Sequence, residues 1–210
     1  EEVRDDIIFA TNNQTNIPKS SLRVTDAIHL QIEMFCKTRG LYYDRRKNYY
    51  KNLKKKATDI ISVSFLAQCL ITLLLRKPDF AWARPSTLLT DDRTYNQLYA
   101  ENGNLLVYYN VGKLGKKVQG NLRKTPDWTS SEKNDVLFYV LYGVVIKLLG
   151  KTDIKPVDIV NIDLNTVSEE FIDSIKWKVY HKYKELGGDG RIAKSPNFIT
   201  YIDKIIGDNE

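Results

Sequence analysis

The stretch from Thr129 to Gly150 reads TSSEKNDVLFYVLYGVVIKLLG, and its periodicity decides the fold class. Val136, Leu137, Val140, Leu141, Val144, Val145, Leu148 and Leu149 recur at the spacing of one helix face. Ahead of them Thr129 and Glu132 form a capping-box pattern, in which each side chain takes up a backbone N–H that the first helical turn leaves unpaired. Phe138, Tyr139, Tyr142 and Ile146 fill the gaps between the periodic positions. A helix that is apolar nearly all round has to be enclosed by other elements, so this one is expected at the centre of a mainly α fold.

The same reading extends in both directions. Thr166 with Glu169 repeats the capping-box pattern before Ile172, Ile175, Val179, Tyr183 and Leu186. Acids stand in the first turn of that helix, bases in its last half and Gly187-Gly188 at its end, as the dipole and the left-handed glycine stop favour. Ser195-Pro196 opens a last helix carrying Phe198, Ile199, Ile202, Ile205 and Ile206. Upstream, Val107, Val111, Leu114, Val118 and Leu122 mark a helix in which Gly112, Gly115 and Gly120 each cost up to about 1 kcal/mol relative to Ala. Ser62 or Ser64 caps a core helix through Phe65, Leu66, Cys69, Leu70, Leu73 and Leu74 that Pro78 stops, and Ile28, Ile32 and Phe35 mark another that Gly40 stops.

Between Leu41 and Lys51 the pattern changes. Tyr42, Tyr43, Tyr49 and Tyr50 flank Arg45-Arg46-Lys47-Asn48, an aromatic, β-prone sequence read as a small hairpin turning near Lys47-Asn48, with Ile60 to Val63 as a further short strand. The expected fold is therefore mainly α, a multi-helical bundle-like domain with a small β-hairpin near residues 41–51. Residues 1–56 form an N-terminal segment and 57–210 the helical domain, either separate or continuous with it.

With 210 residues, 42% of them hydrophobic and 28% charged, the chain can bury a core, which excludes a disordered protein. The longest apolar runs, Phe65 to Leu75 and Val136 to Ile146, are too short for the roughly 20 residues of a membrane span, so no membrane partner is expected. Cys36 and Cys69 lie inside apolar helical patterns, which suits buried thiols in a reducing, cytoplasmic compartment better than a bridge. The chain opens on Glu1 with neither an initiator Met nor a charged-then-apolar leader, and is read as a piece of a longer protein.

The net charge of +6 is unevenly placed. Lys37 to Lys56 holds nine basic residues against Asp44 alone, a net of +8 that leaves the rest of the chain at −2. Lys113, Lys116, Lys117, Arg123 and Lys124 form a second, acid-free stretch. Such concentration points to a polyanion, DNA or RNA, although Lys-rich runs also serve as plain solvated faces. In Tyr42 to Lys51 cations alternate with rings, as phosphate neutralisation and base stacking require. Arg45, Arg46, Lys47, Lys51, Lys54, Lys55 and Lys56 are the candidate phosphate ligands and Tyr43, Tyr49 and Tyr50 the candidate stacking rings. The plainer reading, a hairpin whose tyrosines cover the core while its charges face water, stands beside it.

Other chemistry is sparse. His29 and His181 are the only histidines, so no histidine-rich zinc site can form, and neither a metal nor a cofactor is expected. Gly112-Lys113-Leu114-Gly115-Lys116-Lys117 lacks the spacing and the hydroxyl residue of a phosphate loop. Ala10 to Asn16 is amide-dense, and Asn12, Asn13 and Gln14, with Asp44, form a candidate polar half-site able to read a base edge, or else a local turn in which Asn bonds its own backbone.

The pieces Ala10-Thr11-Asn12-Asn13-Gln14, Leu22-Arg23, Gly40 to Lys47, Leu66-Ala67-Gln68 and Ala83-Arg84-Pro85-Ser86, in that order and spacing, resemble the AIPR family of bacterial abortive infection phage resistance proteins. Leu186-Gly187-Gly188 and Ala193-Lys194 extend the resemblance towards the end. It implies the C-terminal part of an intracellular defence protein, with any shared site lying partly upstream, and supplies no catalytic residues. Three functions follow: a nucleic-acid-binding or sensing module, half of a nuclease or nucleotide-processing enzyme whose catalytic region is upstream, or a structural or oligomerisation module. The piece alone is not expected to be catalytic.

Overall fold

The computed structural model describes residues 23–207. Its helices in chain order are α1 (Ala27–Lys37), α2 (Tyr49–Asn52), α3 (Val63–Leu74), α4 (Pro78–Ala83), α5 (Pro85–Leu89), α6 (Asp92–Leu98), α7 (Leu105–Arg123), α8 (Ser130–Leu149), α9 (Pro156–Val160), α10 (Glu169–Glu185), α11 (Gly190–Ala193) and α12 (Phe198–Gly207). Two strands, β1 (Tyr42–Asp44) and β2 (Ile60–Ser62), and two short 3-10 helices, Arg23–Thr25 and Ala57–Asp59, complete the set.

The mainly α expectation holds, with α8 at the centre. Thr129 Oγ1 accepts the Glu132 N–H at 3.2 Å while Glu132 Oε2 accepts the Thr129 N–H at 2.8 Å, closing the capping box. Every residue from Asp135 to Ile146 is buried, because α3, α4, α7, α10, α11 and α12 pack around this helix. Small residues set the closest approaches. A Cβ on Gly143 would lie 2.8 Å from Ile175 Cγ2 of α10, and one on Gly115 would lie 2.6 Å from Cys69 Sγ of α3. Gly115, which costs helix propensity, is thus what allows α7 to seat against α3. The apolar core runs without a break from Ile28 to Ile206.

Three expectations are corrected. The hairpin near residues 41–51 does not form. After β1 the Asp44 carboxylate accepts the N–H of Asn48 at 2.9 Å and of Tyr50 at 3.4 Å, Asn48 turns left-handed at φ 65°, and Tyr49–Asn52 wind into α2. A returning strand would need the backbone groups that this turn uses. Strand β1 pairs instead in parallel with β2, Tyr42↔Ile60, Tyr43↔Ile61 and Asp44↔Ser62, and residues 45–59 supply the long crossover that parallel pairing demands. The helix α10 is capped by Ser168, whose Oγ accepts the Phe171 N–H at 3.1 Å, whereas Thr166 donates to the Asp163 carbonyl. The last helix begins at Phe198, after a turn in which Ser195 Oγ accepts the Asn197 N–H.

Candidate nucleic-acid interface

The segment 42–56 divides into residues turned inward and residues turned outward. The inward set gathers on Glu33, a buried carboxylate of α1. Arg45 Nε donates to Glu33 Oε2 at 2.6 Å, Arg46 Nη2 to Glu33 Oε1 at 3.4 Å and the Tyr50 hydroxyl to Glu33 Oε1 at 2.7 Å. Arg45 Nη1 also reaches the Val24 carbonyl at 3.0 Å, and its side chain is only 1% exposed. Burial and the bond to Glu33 hold the Tyr50 phenol above its ordinary pKa. Arg46 lies over the Tyr49 ring at 4.1 Å. A carboxylate of this burial requires such partners, and here they fasten the segment to the helix that precedes it.

Below this cluster Tyr43 is fully buried against His29 of α1. The Tyr95 hydroxyl donates to Asp26 Oδ2 at 2.8 Å, so its oxygen is left to accept from His29 Nε2 at 3.0 Å. That assignment makes His29 Nδ1 the acceptor of the Tyr43 hydroxyl, at 2.7 Å. Burial, with Arg45 adding to it, lowers the His29 pKa to about 3, so the ring is neutral and its tautomer is set by Tyr95 and Asp26. Hydrogen bonds of one sense therefore run from Tyr43 through His29 and Tyr95 to Asp26.

The outward set is Lys47, Lys51, Lys54, Lys55 and Lys56, all exposed. Among the described residues none of these five ammonium groups is in an ion pair. Lys55 lies over the half-buried Tyr42 ring at 4.8 Å. The second basic stretch meets the first here, for Lys116 of α7 donates to the Ala57 carbonyl at 2.9 Å. Burial lowers the Lys116 pKa and nearby Arg123 lowers it further, while Asp59 opposes them. Lys116 thus adjoins the basic ledge that the five lysines form. Lys117 and Lys124 turn away, Lys117 to the carbonyls of Leu164 and Val167 and Lys124 to Glu169.

Of the ten residues expected to hold nucleic acid, the structure therefore presents five lysines and withdraws Tyr43, Arg45 and Tyr50 into the core. Tyr49, half-buried, packs against Tyr50 at 5.0 Å beneath Arg46, so its ring is not an open platform. The surface that remains is suited to phosphates rather than to bases. Asp44, from the candidate half-site, is occupied as the cap of the turn before α2, and Asn12, Asn13 and Gln14 lie outside the described residues. The reading of the sequence missed His29 and Glu33. The signal was present, since both fall on the stripe of α1 that carries Ile28, Ile32 and Cys36. No group of three or more His, Cys, Asp or Glu that could hold a metal occurs among the described residues.

The ledge, the parallel strand pair and α1 to α10 all lie within the span of one family match. A family model for AIPR protein covers residues 1–186. The chain belongs to the AIPR family. No curated protein and no solved structure matches it. In this AIPR chain the match includes Asn12, Asn13 and Gln14 along with the whole Lys47 to Lys56 ledge, and ends at Leu186, where α10 closes. No helix among the described residues is long and apolar enough to cross a membrane.

Proposed function

We propose that this AIPR chain is the nucleic-acid-binding or sensing module of a cytoplasmic abortive-infection phage resistance protein, and that it grips DNA or RNA by the phosphate backbone. The observation that carries this reading is the division of residues 42–56. One set locks onto Glu33, and the locked frame holds out five lysines that no carboxylate among the described residues neutralises. A ledge serving only as a solvated face needs no such frame. Lys116 adjoins it from a second element. With Tyr43 and Tyr50 buried, affinity rests on counterion release rather than stacking, so binding is tolerant of sequence.

The test is a fluorescence-anisotropy titration of this chain against duplex DNA, single-stranded DNA and RNA at about 50 and 200 mM salt. Five phosphate contacts on a duplex give a log–log salt slope of about −4.5, a weakening of about 500-fold over that range. Absence of binding at the lower salt ends the proposal for this chain. It would transfer interest to an enzyme completed by Asn12, Asn13 and Gln14 with an upstream region.

A further inference from the structure

A second charged feature lies where α4 meets α11. There Asp79, Phe80, Ala83, Arg84 and Lys194 line a cleft of about 240 Å³. Its walls are fixed from beneath. Gln68 Nε2 donates to the Ala81 carbonyl at 2.8 Å, holding α4 to α3, and the Tyr139 hydroxyl donates to the Ala193 carbonyl at 2.9 Å, holding α11 to α8. Arg84 is the single residue between α4 and α5, its N–H bonded to the Phe80 carbonyl at 2.9 Å and its carbonyl followed directly by Pro85, so its backbone direction is set.

Among the described residues Asp79, Arg84 and Lys194 take part in no ion pair. Arg84 Cζ and Lys77 Nζ lie 5.3 and 5.2 Å from the Phe80 ring centre, and Lys194 Nζ lies 4.9 Å from that of Trp82. Two cations thus lie against the half-buried Phe80 ring and a third against Trp82, with the Asp79 carboxylate beside them in the cleft wall.

We infer that this cleft binds a nucleoside 5′-phosphate. Arg84 offers the planar fork that takes two phosphate oxygens at once, and Lys194 supplies a second, point-like charge. The Phe80 ring, already in contact with Arg84 and Lys77, gives the sugar an apolar wall rather than an open stacking face. Asp79 selects against a bare dianion, which it repels, and in favour of a ligand that brings donors to it, as the ribose hydroxyls do. The volume, about 240 Å³, lies below the roughly 300–1,000 Å³ of ligand pockets, so it takes the phosphate and sugar of at most one nucleotide and leaves the base at its mouth. That nucleotide is either free or the 5′ end of a strand. This site is separate from the Lys47 to Lys56 ledge and does not depend on what the ledge binds.

The test is isothermal titration calorimetry on a chain carrying Lys47→Gln, Lys51→Gln, Lys54→Gln, Lys55→Gln and Lys56→Gln, so that the ledge lysines do not contribute. Probes are AMP, CMP, adenosine, inorganic phosphate, and a trinucleotide with and without its 5′-phosphate. The expected result is submillimolar binding of a mononucleotide or of the 5′-phosphorylated trinucleotide, with adenosine and phosphate each at least about tenfold weaker. Binding of the mononucleotide assigns the free ligand, and binding of the phosphorylated trinucleotide alone assigns the strand end. Arg84→Gln and Lys194→Gln, both exposed, are each expected to weaken binding about tenfold at an unchanged melting temperature. Failure of every probe at millimolar concentration, phosphate binding as tightly as the nucleotides, or affinity indifferent to both substitutions would overturn the inference.

Discussion

Removing the Glu33 carboxylate tests the frame on which the ledge rests. In Glu33→Ala the guanidinium of Arg45, 1% exposed, keeps the Val24 carbonyl but loses its carboxylate partner, and Tyr50 loses the acceptor of its hydroxyl. Breaking one side of a buried ion pair costs about 3–5 kcal/mol, because the remaining charge stays desolvated. At about 2–4 °C per kcal/mol for a chain of this size, the melting temperature should fall by about 6–20 °C. Urea unfolding followed by circular dichroism reads the loss directly. A further Arg45→Met change in the same chain removes the other member of the pair and should recover part of the loss, giving a coupling of about 1 kcal/mol or more in a double-mutant cycle. A loss below about 1 kcal/mol in Glu33→Ala would refute the reasoning, since an exposed ion pair is worth no more than that.

Four further outcomes are expected. Replacing Lys54, Lys55 and Lys56 with Gln should shrink the salt slope for duplex DNA from about −4.5 to about −1.8, with stability changed by no more than about 0.5 kcal/mol. The unfolded chain binds a proton at His29 below pH 6.5 whereas the folded chain does so only near pH 3, so the stability this neutral ring contributes is complete above 6.5 and is lost as the pH falls. The loss between pH 7 and 5 is about 2 kcal/mol, and urea unfolding at both pH values should show it in the natural chain but not in His29→Gln. Gly115→Ala should destabilise by about 1–3 kcal/mol through its clash with Cys69, while Gly120→Ala, which meets nothing within 4 Å, should stabilise by up to about 1 kcal/mol, both read as melting temperatures. Burial raises the thiol pKa of Cys36 to about 12 and that of Cys69 still further, so neither should react with a thiol reagent until the chain unfolds.

Periodicity carried most of the helical architecture. The capping box at Thr129 and the unbroken apolar face of α8 are local, and local signals survive into the fold unchanged. What failed was non-local. Tyr42 to Asp44 do form a strand, but its partner stands beyond residues 45–59, and nothing in the spacing of the tyrosines distinguishes a returning strand from a helical turn. The ledge shows the same division. Its lysines were legible from charge alone, whereas the fate of Arg45 and Tyr50 depended on Glu33, which precedes them on another element. Residue type said that a cation was present, and only the third dimension said which cations were already neutralised. Gly115 repeats the lesson, for what reads along the chain as a weak point in α7 is, across the interface with α3, a condition of packing.

The parallel pairing of β1 and β2 makes residues 45–59 a loop cinched at its neck. A protease that cuts after Lys54 or Lys55 would sever the chain without releasing either flank, since one is held by the ladder and by Glu33, and the other by the ladder and by Lys116 at Ala57. The two fragments should therefore travel as one particle under native conditions and part only in denaturant. Bound nucleic acid should shield that same cut, so the rate of nicking becomes a gauge of occupancy that needs neither label nor substitution.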